Sequence, residues 1–152
     1  MAINKQPIFT ATPLLITNQF DPQIPGSLKN PGIENYTAIY TDASDYGSLI
    51  TKVTVCSTGL IGSVTTKVIY LGIRDKNTEV ASLYQSKVMT GISGLTSSDT
   101  VPYVTFEFGG GLVMNKLNGF QLVIAASTNN ANGDSGDAIS VIVEGGTYDQ
   151  PV

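Results

Sequence analysis

G-S-L-I-T-K-V-T-V-C-S, residues 47–57, and S-V-T-T-K-V-I-Y-L-G-I, residues 63–73, are the two halves of the stretch that decides the fold. In the first half Leu49, Thr51, Val53 and Val55 fall on one side, with Ile50, Lys52, Thr54 and Cys56 on the other. In the second, Val64, Thr66, Val68 and Tyr70 alternate with Thr65, Lys67, Ile69 and Leu71. Alternation in β-branched and aromatic residues is the mark of strands with one buried face. Gly59 and Gly62 lie between the halves and supply a turn, so the pattern predicts an antiparallel hairpin.

Downstream the same alternation recurs. Tyr36–Thr41, Thr78–Thr90, Tyr103–Phe108, Leu112–Met114, Gly119–Ala126 and Ala138–Gly145 read as further strands. Arg74–Asn77 reads as a charged turn, Gly91–Asp99 as a loop and Asn129–Asp137 as a polar loop. Gly109–Gly111 reads as a bulge or a strand break. Seven or eight short strands with turn signals between them, and no helical period, predict an all-β fold: an antiparallel β-sandwich or jelly roll. Shared parity puts Val53, Val55, Val68, Tyr70, Phe106, Leu122, Ile124, Val141 and Val143 in its core.

Residues 1–34 differ. They hold Pro7, Pro13, Pro22, Pro25 and Pro31, five of the seven prolines, and proline cannot donate to a sheet ladder. The segment therefore reads as an extended N-terminal arm preceding a β-sandwich domain at 35–152. Its apolar residues Ile8, Phe9, Leu14, Leu15 and Phe20 are ones a solvated tail would not need, so they are the candidate anchors of the arm. An arm lying on a partner surface fits both facts, and so does one wrapped over its own core.

Composition narrows the function. Charged residues are 13% of the chain, about half the ~25% usual for globular domains. A net charge of −4, with eight scattered Lys and Arg, gives no footprint for nucleic acid and no membrane-binding patch. No apolar run approaches the ~20 residues that span a bilayer, and the start lacks the h-region of a signal peptide. The expectation is a product that stays in the compartment where it is made.

The chain has no histidine, which removes the commonest general base and metal ligand, and its one cysteine excludes zinc sites of the usual type. Cys56 reads as a buried structural thiol. Gly133-Asp134-Ser135-Gly136 matches a serine-protease nucleophile sequence, but no imidazole exists to take the serine proton. Asn130, Asn132, Asp134 and Asp137 suggest a calcium loop, yet Ser135 and Val141 stand where an EF-hand loop needs Gly and Glu. A looser calcium site shared with Asp42 and Asp45 stays open; otherwise these are turn formers. Asn35-Tyr36-Thr37 has the pattern of a glycosylation sequon. With seven tyrosines, a sugar-stacking role would use Tyr36, Tyr40, Tyr46 or Tyr103. The reading is of a protein without catalytic residues, metal or cofactor.

Several segments together carry a resemblance. They are Met1-Ala2-Ile3-Asn4-Lys5-Gln6-Pro7-Ile8-Phe9, Ile39-Tyr40-Thr41 leading into Gly47–Val55, Val68-Ile69-Tyr70-Leu71, Leu117-Asn118-Gly119-Phe120-Gln121-Leu122, and Val141–Tyr148. In these the chain resembles small virion proteins of tailed bacteriophages, of the capsid-decoration or cement type; residues 18–34 depart from the pattern. The resemblance implies a β-sandwich made in the host cytoplasm and bound, as a homotrimer, to the outer surface of the virion. Its partner would be the major capsid protein, whose lattice it reinforces, with the arm residues Ile8, Phe9, Leu14, Leu15 and Phe20 at the contact. Alternative readings are a head-fibre, neck or tail component, or a carbohydrate-binding β-sandwich module.

Overall fold

The computed structural model describes residues 10–20, 24–25, 36–42, 46–57, 62–64, 66–128 and 139–148. They form eleven strands: β1 (Thr10–Phe20), β2 (Ile24–Pro25), β3 (Thr37–Thr41), β4 (Ser48–Ser57), β5 (Gly62–Val64), β6 (Lys67–Asp75), β7 (Ala81–Met89), β8 (Ile92–Leu95), β9 (Tyr103–Met114), β10 (Phe120–Thr128) and β11 (Ile139–Tyr148). The first sheet is antiparallel, in the order β1-β11-β4-β9. In the second, β10 pairs β6 and β6 pairs β7, while β3 and the short parallel β2 lie along β10. A small third sheet joins β5 to β8.

The two main sheets close on one apolar core. From the first come Ile50, Val53, Val55, Phe106, Phe108, Met114, Ile139, Val141 and Val143; from the second, Ile39, Tyr40, Ile69, Leu71, Met89, Leu122, Ile124 and Ala126. Each large aliphatic side chain buried there contributes about 1.5–3 kcal/mol relative to exposure. The all-β sandwich read from alternation is the observed fold.

The predicted hairpin is not. β4 pairs β11 and β9, whereas β6 pairs β10 and β7, so the two halves of the opening stretch lie in different sheets. Alternation states which face is buried and is silent about the partner strand; Val53 and Ile69 meet the same core from opposite sides. The second half also buries the other parity. Lys67, Ile69 and Leu71 are buried, Ile69 and Leu71 in the main core, while Tyr70 belongs with Tyr36, Val123 and Ala125 to a second cluster that Val68 packs against half-buried. That outward cluster makes β6 apolar on both faces, and either parity then looks like a core.

Parity also breaks inside β4. Lys52 faces Glu144 and Ile50 faces Gly145, which leaves Thr51 as an extra residue. On the other flank Lys52 faces Glu107 and Ile50 faces Leu112, so Phe108–Gly111 bulge out of β9. Ser48 and Ile50 are buried before the bulge and Val53 and Val55 after it, so Leu49 and Thr51 do not share the inner face. The glycine run lies within the bulge, and the two strands read around it are one strand, β9.

Two further expectations change. Ile92–Leu95 was read as loop but pairs β5. Thr10–Phe20, read as kept out of a regular sheet by its prolines, is the end strand β1, with Pro13 opposite Gly146. An end strand needs ladder bonds on one side only, so a proline is tolerated there. Of the two paths open to the arm, these residues take the one along their own domain.

Candidate interaction surfaces

Three of the buried polar groups are tied to one another. The Tyr40 hydroxyl donates to Ser48 Oγ at 2.8 Å, and Ser48 Oγ donates to Asp42 Oδ2 at 3.0 Å. All three residues are buried. This chain of bonds ties the end of β3 in one sheet to the start of β4 in the other, and burial withholds the serine and carboxylate from any substrate. Burial also pushes the Tyr40 phenol above its usual range, offset in part by its bond to Ser48. Tyr36 is likewise raised by burial and then by its neighbour Tyr70, and its buried hydroxyl has no hydrogen-bond partner among the described residues. Asp42, one member of the looser calcium set, is thus engaged with Ser48, and Asp45 lies outside the described residues. Among the described residues no three His, Cys, Asp or Glu side chains come together as a metal site.

Among the described residues, three surfaces with exposed apolar side chains stand out. The first is the side where the sheets end in β7 and β9. Lys87 Nζ donates to the Thr105 carbonyl and sits 5.4 Å from the Phe106 ring centroid. The Tyr84 and Phe108 rings lie 5.6 Å apart, inclined at 43°. These side chains bridge the end strands; β7 carries Leu83, Tyr84 and Val88 exposed along it, Val88 to 59%.

The second lies at one end of the sandwich, at the β9–β10 turn. Asn115 Oδ1 accepts from Asn118 N at 2.7 Å, Asn118 Oδ1 accepts from Phe120 N at 3.2 Å, and the Gly119 carbonyl accepts from Lys76 N at 2.7 Å. This braced turn holds Leu117 out at 90% exposure, with Val113 and Phe120 exposed at the flanking strand ends. A leucine so exposed on a fixed turn serves no core.

The third is the outer face of the first sheet. Its register sets Leu15, Glu144, Lys52 and Glu107 in one row across the four strands, and Thr17, Ile142, Thr54 and Thr105 in the next. Lys52 and Glu144 form an ion pair at 2.6 Å. Cys56 stands one row further, beside Tyr103. It is half-buried on this outer face, and burial raises its thiol pKa. The buried structural thiol of the sequence reading is therefore a sheet-surface residue.

Of the anchors expected in the arm, Leu15 is exposed to 67% on β1. Leu14 and Phe20 take register positions opposite Gly145 and Ile139, while Ile8 and Phe9 lie outside the described residues. The tyrosines proposed for sugar stacking divide: Tyr36 and Tyr40 are buried, Tyr46 and Tyr103 exposed. Tyr103 faces Cys56 at one end of β4 and Tyr46 precedes the other end, so the exposed pair is about 30 Å apart and forms no common platform. The Gly133–Gly136 motif, the Asn130–Asp137 set and Asn35 fall outside the described residues. Sequence reasoning missed Leu83, Val88 and Leu117. Leu117 had a signal, a leucine set among the turn formers Asn115, Asn118 and Gly119.

No protein-family model matches the chain, and no curated protein matches it. Among solved structures, it is similar to a carbohydrate-binding module from the glycoside hydrolase family 9 enzyme Cel9A of Ruminococcus flavefaciens FD-1. That likeness has 13% identity and a TM-score of 0.41, over 86% of this chain and 98% of that one. It is also similar to a chain of the infectious bursal disease virus Gx strain, at 14% identity and a TM-score of 0.35, over 89% of this chain and 32% of that one. For the VP2 subviral particle of infectious bursal disease virus the values are 16% and 0.31, over 97% and 37%. The chain thus spans about a third of the length of either viral chain.

Proposed function

We propose that this chain is a structural binding protein of a virion, which decorates the outside of a tailed-phage capsid and reinforces the lattice of the major capsid protein. The observation that carries a binding role is the set of apolar side chains held out by a braced all-β scaffold: Leu117 on its turn, Leu83 and Val88 on β7, and Leu15 on β1. Such side chains lower the free energy of the complex once a partner covers them, about 1.5–3 kcal/mol for each if fully buried, less the cost of ordering the contact. The choice of a phage capsid as partner rests on the sequence resemblance. In this reading the arm supplies part of the attachment through Ile8, Phe9, Leu14, Leu15 and Phe20, and a homotrimer matches the threefold positions of a capsid lattice.

The test is to add the purified protein to undecorated capsids and count copies by cryo-electron microscopy. Lattice-wide occupancy is the expected result. Density at a single vertex assigns the protein to the neck, tail or head fibres, and no binding at all removes the virion reading. A second sample lacking residues 1–9 isolates the arm: if it binds as tightly as the intact protein, Ile8 and Phe9 are not anchors.

A further inference from the structure

Strand ends of sheets are places where another strand can add, and proteins commonly blunt them. Here β1 carries Pro13, and β9 is interrupted by the bulge at Phe108–Gly111. β3 has five residues and a register shift against β10, and β2 has two. β7 is different: nine residues without proline, paired to β6 along one side and departing from regular register only at Tyr84. Its single charge, Lys87, is turned to the Thr105 carbonyl and the Phe106 ring of β9. The side chains it offers to solvent are otherwise neutral, Leu83, Tyr84, Ser86 and Val88 among them.

We propose that β7 is a contact between two copies of this chain, the strands running antiparallel about a two-fold axis at Ser86 and joining the second sheets edge to edge. The occupant follows from charge and symmetry. An identical strand brings no like charge against β7 in this register, because Lys87 falls opposite the partner's Gln85 rather than the partner's Lys87. Centring the axis one residue later sets the two lysines face to face, which is unfavourable. A two-fold contact is isologous, so every favourable pair occurs twice. The outward Val88, continuous through Val68 with the apolar cluster of Tyr36, Tyr70, Val123 and Ala125, then gains cover from the second copy. The contact does not depend on the capsid reading and needs no other protein. It is two-fold, so it would join trimers in pairs rather than build a trimer.

Sedimentation of the full chain across micromolar to submillimolar concentrations tests it, with Val88→Lys, Leu83→Lys and Ser97→Lys alongside. The wild type is expected to associate reversibly into an even-numbered species, and Val88→Lys to weaken that association by at least about ten-fold, since each dimer carries the new charge twice. Ser97→Lys adds the same charge on the turn after β8, outside β7, and should leave association unchanged. All three positions are exposed, and circular dichroism checks that the variants fold; if Val88→Lys fails to fold, Leu83→Lys takes its place. A wild type that stays monomeric at every concentration, or that forms trimers which never pair, overturns the proposal, as does an even-numbered species that Val88→Lys and Leu83→Lys both leave intact.

Discussion

Two buried tyrosines put opposite demands on the fold. Tyr40 donates a hydrogen bond from its hydroxyl to Ser48, whereas the Tyr36 hydroxyl is buried without a partner among the described residues. A buried polar group lacking its bond costs about 1–3 kcal/mol, while a made bond returns about 1. Tyr36→Phe is therefore expected to raise the urea midpoint, by the equivalent of about 1 kcal/mol, and Tyr40→Phe to lower it by a similar amount. Both phenols are held above their usual range, chiefly by burial. The folded state thus keeps protons that the unfolded chain gives up once the pH passes the ordinary phenol value of about 10. Stability from this source is complete below that pH and falls as pH rises through it. Urea midpoints from neutral pH upward should show the loss, and the Tyr36→Phe, Tyr40→Phe double variant should show less of it; equal slopes would refute the assignment. Cys56 adds to the slope in the same direction from the thiol range onward. None of this was legible in the sequence, where the two tyrosines differ only in their neighbours.

At the scale of the strand, bulges decide what alternation could not. Val53, Val55, Phe106, Leu122, Ile124, Val141 and Val143 are in the core as parity predicts, since each lies on a stretch of unbroken register. Leu49 and Thr51 depart from it because the extra residue in β4 switches the face. The bulge has its own residue requirements. A methyl group at Gly145 would overlap the Leu49 backbone carbonyl, and one at Gly109 meets nothing. Gly145→Ala is expected to cost on the order of 3 kcal/mol and Gly109→Ala less than about 0.5 in chemical denaturation. Equal costs would mean that the bulge adapts freely. Strand partners were the part of the fold least open to reading. Apart from β2–β3 and the β6–β7 hairpin, successive strands of the main sheets cross from one sheet to the other, and nothing local in a strand records the strand it pairs with. The exposed anchors were partly legible, Leu117 from its turn. Val88 was not, because an outward valine on an end strand has the same sequence pattern as an inward one.

Across the whole molecule, Thr10–Phe20 is an integral strand of the first sheet. Thr10–Phe20 pairs along β11 nearly end to end, so β11 has a neighbour on both sides. Removing residues 1–20 is expected to bare β11 as a long open strand, lower the thermal midpoint by several degrees or more and reduce soluble yield. Removing residues 1–9 should leave the midpoint within about a degree of the intact chain, because the paired strand is untouched. If the longer truncation melts like the intact protein, β1 contributes nothing to the sheet's stability. The same pairing has a consequence in time. β1 leaves the ribosome well before its partner β11 has been made. About 120 residues separate them, roughly 6 to 25 seconds of synthesis at usual rates. Through that interval a strand that the finished fold needs has no place to go, and the first sheet can close only once β11 has been made.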